Sequence, residues 1–268
     1  MDAMSGDQRI ISDTFDERAA NYGKGTWHRV YAERLVDLAG LRPGQAILDA
    51  GAGTGFAAIA IAHRVGPSGR VVAIDLSPGM LHEARAAVAA AGLTNVEIWQ
   101  ADATNLSQVP SSSFDAAICA AALLYMPVAR ALAEWHRVLA PGGLAGFSTM
   151  RAGSPPAGQL FRDCATAFGV SLPDPSAALG SEDRCREALA EAGFRGISIV
   201  PEHIDFSDAD LTRAWDSNSR SPSHAAVREL SEEDSDALRA QYENALRARL
   251  AADPLFARAQ VLYAFGRK

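Results

Sequence analysis

Between Ala46 and Met150, short apolar runs alternate with helical patterns, and this alternation is the strongest constraint on what the chain can fold into. The runs "AILDA", "RVVAID", "VEIWQA", "FDAAICAA" and "LAGFSTM" are nearly continuous in apolar character and read as strands buried on both faces. Helical stretches separate them. One runs from about Gly55 to Val65 and another from Met80 to Ala91, behind a Ser77-Pro78 start. A third runs from Val128 to Leu139, ahead of the stop signal Pro141-Gly142-Gly143. Strands joined by helices need right-handed crossovers, which predicts an α/β fold with a mostly parallel, doubly wound sheet.

The texture changes after Met150. "RAGSPPAGQ" and "GVSLPDPSAALG" are turn-rich and flank a short helix near Leu160 to Phe168. In "SEDRCREALAEAGF", Ser181 is the expected N-cap of a helix and Gly193 its terminator. Two more strands are expected, Ile197 to Phe206 and Ala259 to Arg267. The polar, helical stretch between them, Ser207 to Asp253, is too long for a hairpin turn and is predicted to fold as a lid over one sheet edge. Ser12 to Leu38 is also helical in pattern. The expected organisation is one domain over 1–268: a helical cover (1–40), a ligand-binding core (41–150), a substrate-side segment with the sixth strand (151–206), the lid (207–258) and the last strand (259–268).

Composition narrows the partners. A net charge of −7 argues against nucleic acid or an anionic membrane surface. Lysine occurs only at Lys24 and Lys268 while Arg and Ala abound, a bias of codon composition rather than function. No uninterrupted apolar run approaches about 20 residues, so membrane insertion is not expected. Cys119, Cys164 and Cys185 lack metal-ligand spacing and fit reduced thiols in a cytoplasmic protein, with no metal site. A small-molecule partner is expected, on a monomer or a homodimer.

Ligands of open parallel sheets bind beyond the carboxyl ends of the strands. That gathers the loop "DAGAGTG" (Asp49 to Gly55), Asp75, Asp102 and Cys119-Ala120 around one crevice. A phosphate loop needs Gly-Lys-Ser/Thr at the helix start, but Gly55 is followed by Phe56-Ala57. A dinucleotide loop wants a third glycine where Phe56 stands, and Asp49 at its mouth would repel a pyrophosphate. Asp75 stands where an acid takes ribose hydroxyls, and Asp102 where an adenine amino group could be accepted. Three acids at successive strand ends suit a nucleoside with a cationic end, and S-adenosylmethionine is such a ligand.

The motifs "ILDAGAGTG", "VVAIDLSPGML", "WQADATNL", "FDAAICAAALLYM", "HRVLAPGG" and "EALAEAGFRGISI" stand in the order of class I S-adenosylmethionine-dependent methyltransferases, which the chain resembles. The opening "FDERAANYGKGTW" and the closing "VLYAFGRK" resemble the ubiquinone/menaquinone-biosynthesis branch. The likeness is strong over Tyr22 to Met150, weaker to Ile199, and returns in the final strand. It implies a Rossmann-like, seven-stranded sheet whose last strand is antiparallel. It also implies cofactor contacts: glycines 51, 53 and 55 admitting close backbone approach, Asp49 at the methionine amino end and Asp75 on the ribose. Leu76 and Met80 would pack on adenine, Asp102 and Ala103 meet its edge, Cys119-Ala120 line the sulfonium end, and Tyr22 covers the methionine carboxylate.

The acceptor side is less constrained. His28, His224 and Tyr22 are the candidate catalytic groups. His63 and His82 read as solvated, His136 as structural, and His203 as able to point either way. Trp27, Tyr125 and Trp215 are candidate pocket walls, against the alternative of ordinary lid packing. The chain lacks the Asn/Asp-Pro-Pro-aromatic motif that holds a flipped base. The function expected is C- or O-methylation of a small, fairly apolar metabolite in quinone or specialised metabolism, with Asp13 to Trp27 and the lid as moving parts. The alternatives are an NAD-dependent oxidoreductase, or a cyclase or isomerase on the same scaffold.

Overall fold

The computed structural model describes residues 4–23 and 26–268; residues 1–3, 24 and 25, all within the expected cover, lie outside the described residues. Two helices come first, α1 (Gly6–Tyr22) and α2 (Trp27–Leu38), where the sequence pattern predicts one helical stretch from Ser12. Ser5 and Gln8 form a reciprocal capping box, so α1 starts at Gly6, ahead of its apolar periodicity. The core then runs β1 (Ala46–Ala50), α3 (Phe56–Val65), β2 (Arg70–Asp75), α4 (Pro78–Ala90), β3 (Val96–Gln100), β4 (Phe114–Ala120), α5 (Val128–Val138) and β5 (Leu139–Met150). After it come α6 (Pro156–Thr166), α7 (Glu182–Glu191), β6 (Arg195–Asp205), α8 (Asp208–Thr212), α9 (Ala214–Ser219), α10 (Glu232–Ala252) and β7 (Arg258–Arg267).

The seven strands lie in the order β3-β2-β1-β4-β5-β7-β6, with β7 antiparallel to both neighbours and the first five strands parallel. The chain winds outward from β1 to β3, then returns to place β4 on the other side of β1. This reversal opens a crevice above the carboxyl ends of β1 and β4. Alternation along each strand builds the two layers. Ile47 and Val71 pack with Leu35 and Ile61 of α2 and α3, while their neighbours Leu48 and Val72 pack with Trp135 and Leu189 of α5 and α7. A third cluster, centred on Phe161, Leu238 and Tyr242, ties α10 to α6 and anchors the lid.

Local signals act as expected at several boundaries. The Ser77 hydroxyl accepts the Met80 N–H at 3.0 Å, with Pro78 at the first helical position, and Ser181 caps α7 through the Arg184 N–H. Two expectations change. β3 is an edge strand with only β2 beside it, so Glu97 is exposed and its neighbours are half-buried rather than covered on both faces. α5 ends at Val138, ahead of Pro141-Gly142-Gly143 as expected, but the next strand starts at Leu139 rather than Leu144, so the triplet is no turn before it. It lies inside β5, where the pairing with β4 shifts register between Phe114 and Ala116.

Candidate functional site

Three adjoining cavities lie above the carboxyl end of the sheet, and Tyr22 and Ala121 line all three. The first is a cleft of about 630 Å³ open to solvent, walled by Gly51, Gly53, Asp75, Leu76, Met80 and Asp102, among others. A second, of about 400 Å³, lies under the glycine loop and is lined by His28, Tyr31 and Thr54. The third, about 1040 Å³ counting space open to solvent, is a chamber between the sheet and the lid, with Trp27, Tyr125, Arg162 and His224 in its wall.

The loop after β1 is held by backbone hydrogen bonds and by Asp75. Its Gly51 and Ala52 N–H groups both donate to the Ile74 carbonyl at 2.9 Å. Asp75 Oδ2 accepts the Gly53 N–H at 2.9 Å, and Oδ1 accepts the Ser77 N–H at 3.0 Å. Each of these oxygens keeps a lone pair for a further donor. Burial raises the Asp75 pKa, against the lowering effect of the Ser77 and Gly53 N–H groups.

Asp49 is the electrostatic outlier. It is 0% exposed, and neither carboxylate oxygen has a hydrogen-bond partner. The Ala58 N–H bears on it without closing a hydrogen bond. Burial, then the neighbouring Asp75, pushes its pKa up to about 7. Nearby, Thr54 Oγ1 and His28 Nδ1 are also sealed and unpartnered, and both residues line the small cavity. Buried polar atoms are nearly always paired, so Thr54 and His28 offer the small cavity unused polar atoms, while Asp49 lies behind its wall.

The three glycines differ in role. All have positive φ (75°, 54° and 91°), the left-handed region that favours glycine. At Gly51 a Cβ would lie 2.4 Å from the Ala122 Cβ, and at Gly55 it would lie 3.3 Å from Ala84. Only Gly53 opens onto empty space, with nothing within 4 Å. Gly51 and Gly53 both line the cleft and the small cavity, though Ala122 also crowds Gly51; Gly55 lines neither, and Ala84 packs against it.

Other expected residues fall into place unevenly. Leu76, Met80, Ala103, Ala120 and Tyr125 line the cleft. Cys119 does not: it is wholly buried in the core layer under β4, and burial drives its thiol pKa up. Asp102 is largely engaged by the protein, its Oδ1 accepting the N–H and hydroxyl of Thr104 and its Oδ2 accepting Gln8 Nε2 at 2.7 Å. Trp215 stands outside the chamber wall, packed between Phe161 and Tyr242, so lid packing is its role. His63, His82 and His203 are exposed, and His136 sits edge-on to Phe194, as a structural residue would.

The catalytic candidates gather around the chamber. Tyr22 meets the His28 ring at 4.3 Å, and His28 stacks on Trp27 at 3.7 Å. Burial lowers the His28 pKa to about 3, so this ring is neutral in the physiological range. His224 is 2% exposed; its Nδ1 lies 2.9 Å from the Asn218 carbonyl, the Pro173 carbonyl also bears on the ring, and buried Nε2 closes no hydrogen bond. Burial raises the pKa of Tyr22 and of Tyr125, keeping both phenols protonated.

Comparison with known proteins places this geometry. The profile of a family described as a methyltransferase domain matches residues 47–143. An arsenite methyltransferase of Halobacterium salinarum is 30% identical over 213 residues, 78% of this chain and 52% of that protein. Aklanonic acid methyltransferase DauC of Streptomyces sp. is 31% identical over 154 residues, 56% of this chain and 70% of the relative. The chain belongs to the class I S-adenosylmethionine-dependent methyltransferases. Within the family, the ubiquinone/menaquinone C-methyltransferase UbiE of Pseudomonas fluorescens is 35% identical over 141 residues, 50% of this chain and 55% of that one. The alignments thus span about half the length of several of these methyltransferases. In fold, the chain is similar to phosphoethanolamine N-methyltransferase 2 of Haemonchus contortus, with a TM-score of 0.63 at 18% identity, over 99% of this chain and 60% of that one.

Several lining residues of this family member escaped the sequence reading. Ala121 has φ 55°, unusual for a residue with a Cβ, and its N–H donates to Ser148 Oγ at 3.2 Å. Nothing in "CAAALLYM" signals that turn. Phe15 packs edge-on to Tyr22 and Tyr125, at 6.0 and 5.2 Å, and its helical i, i+7 spacing from Tyr22 was the available sign. Among the described residues no group of His, Cys, Asp and Glu could hold a metal, and no helix is long and apolar enough to cross a membrane.

Proposed function

We propose that the chain, acting as one domain, transfers a methyl group from S-adenosylmethionine to carbon or oxygen of a small metabolite with a largely apolar body. The observation that carries this reading is the unpartnered, wholly buried carboxylate of Asp49 beneath a loop whose Gly53 faces open space. A sealed anion costs several kcal/mol unless a cation answers it. The ammonium of the methionine moiety is such a cation, and a dinucleotide pyrophosphate is the opposite.

The residues present fit this group. Asp75 has one free lone pair on each oxygen for the two ribose hydroxyls, and Leu76 and Met80 offer apolar walls for adenine. Asp102 Oδ2 accepts from Gln8 with one lone pair and keeps the other for a ligand donor. Tyr22 and Thr54 stand at the methionine end. When bound, S-adenosylmethionine supplies an electrophilic methyl on a sulfonium whose sulfur leaves with the bonding pair.

The protein's part is alignment and exclusion of water. Ala121 and Tyr22 are common to all three cavities, which supports a meeting point of donor and acceptor beside them. His28 is held too far below neutral pKa to remove a proton from an ordinary alcohol, though its lone pair can accept a hydrogen bond. This favours an acceptor that is already a nucleophile, such as an enolate-like carbon or an ionised oxygen. The arsenite chemistry of one relative finds less support, because thiophilic arsenic wants thiolates and none of the three buried cysteines lines a cavity. Incubation with labelled S-adenosylmethionine and host metabolite extract should label a small organic product; failure of wild-type protein to bind the cofactor in calorimetry overturns the reading.

A further inference from the structure

The acceptor chamber has the opposite sign to the chain. The protein carries a net charge of −7, but the charged side chains in the chamber wall are Arg18, Arg162 and Asp210. Asp210 is already answered: its oxygens accept the N–H and hydroxyl of both Thr26 and Ser207. Arg18 has no carboxylate partner among the described residues, and Arg162 has one, Asp174, through a single long contact. Arg162 has a side chain only 7% exposed, donates Nη2 to Gln159 Oε1 at 2.7 Å, and sits a long 3.5 Å from Asp174 Oδ2. That carboxylate is itself engaged, by the Gly153 N–H at 2.7 Å and the Ser176 N–H at 2.9 Å.

A guanidinium has five N–H donors in a planar fork, and Arg162 gives the protein one clear hydrogen bond among the described residues. Arg18 makes no ion pair among the described residues. Its guanidinium lies 5.3 Å and 5.5 Å from the ring centres of Phe15 and Tyr22, at the junction with the cleft. A cation enclosed beside an apolar cavity with donors to spare is stabilised when an anion enters. The same wall is aromatic, with Trp27 packed 5.3 Å from Phe206 and Tyr125 shared with the cleft.

We propose that the acceptor is a carboxylic acid with an apolar body, its carboxylate held by the Arg162 fork and drawn in past Arg18. The proposal rests on the chamber being the acceptor site of the methyl transfer argued above. A carboxylate meets a guanidinium edge through two parallel hydrogen bonds, which an amide of the same shape cannot reproduce. Arg162 is thus a specificity residue: it selects the acceptor by its anionic end, remote from the atom methylated.

Matched probes test this. Calorimetry with and without S-adenosylhomocysteine would compare 1-naphthoate with 1-naphthamide, and 4-hydroxybenzoate with 4-hydroxybenzamide. The acids should bind wild type at least about tenfold tighter than the amides. Arg162→Gln should remove most of that preference and Arg162→Lys keep part of it, with S-adenosylhomocysteine affinity unchanged in both. Arg18→Gln, which breaks no ion pair, should cut the preference several-fold and serves if the Arg162 variants do not fold. Amides binding as well as acids, no acid binding at millimolar concentration, or a preference indifferent to both arginines overturns the proposal. An acid preference in a protein that does not bind S-adenosylhomocysteine would support the anion site and overturn the donor assignment instead.

Discussion

Gln8 Nε2 donates to Asp102 Oδ2 at 2.7 Å, joining the first turn of α1 to the residues that follow β3. Further along α1, Asp16 Oδ1 accepts from the Ser77 hydroxyl at 2.5 Å and from the Gly79 N–H at 2.7 Å. The first helix is therefore fastened across the cleft at two points, both on residues that border the expected adenine site. It acts as a door held by polar bonds, with Ile11 and Phe15 turned into the cleft.

Loss of the Gln8 fastening is the simplest test of that door. A hydrogen bond to a carboxylate contributes about 1.5–3 kcal/mol. Gln8→Ala should speed dissociation of S-adenosylhomocysteine by about tenfold or more and lower Tm by a few degrees. Stopped-flow displacement measures this directly. Slower dissociation would mean that Gln8 competes with the ligand for Asp102 rather than closing over it.

Asp49 makes a prediction about pH. Its folded pKa is raised, to about 7 from an ordinary 3.8, so its stabilising contribution to the free protein is complete below the ordinary value. That contribution is lost as pH rises from about 4 through about 7, by an amount on the order of a few kcal/mol. Free protein should therefore lose Tm across that window, and S-adenosylmethionine should restore more of it at pH 8 than at pH 5. Asp49→Asn removes the charge: the free variant should be more stable than wild type at pH 8 yet bind the donor more weakly. Parallel thermal melts with and without ligand decide it, and an unchanged pH profile in the variant would remove Asp49 from the account.

Much of the sheet could be read from the chain because β1, β2 and β4 are covered on both faces and carry unbroken apolar runs. β3 misled for the same reason in reverse: Val96, Ile98 and Trp99 look like a central strand, yet pairing on one side only leaves them half-buried. The donor side was legible because acids at strand ends act through backbone topology, which the alternation sets. Direction of side chains was not. Cys119 and Ala120 are adjacent in sequence, but the period of two sends Cys119 into the core and Ala120 to the cleft. The proposed acceptor chamber depends on contacts among α1, α6 and the lid, far apart in sequence. Nothing local marked Arg162 as a wall residue or Trp215 as packing.

The glycine loop separates folding from binding at two positions a residue apart. Gly51→Ala would set a Cβ at 2.4 Å from Ala122 and keep a left-handed backbone, so it should lower stability by several kcal/mol. Gly53→Ala meets no protein atom, and only its φ of 54° opposes it, at about 1–2 kcal/mol. The Gly53 variant should stay folded while its S-adenosylhomocysteine affinity falls by about a hundredfold or more. Chemical denaturation and calorimetry on the two variants should rank them in opposite orders; equal binding loss per unit of destabilisation would return both glycines to a purely structural role.

Asp210 joins the lid to the start of α2. Burial alone would raise its pKa, but hydrogen bonds from Ser207 and Thr26 outweigh it and hold the carboxyl below its ordinary value. A depressed folded pKa means this link is fully effective above the ordinary carboxylate pKa and fails as pH falls through the lower folded one. Asp210→Asn keeps the shape but loses the acceptor for at least one donor, which costs about 1–3 kcal/mol of local stability. Amide exchange in 26–30 and 207–220 should then accelerate, while exchange in β1 and β4 stays as in wild type. If chamber closure is part of turnover, the KM for the acceptor should rise with little change in donor affinity. Uniform acceleration of exchange across the sheet would instead mean that Asp210 supports the whole fold and is no local link.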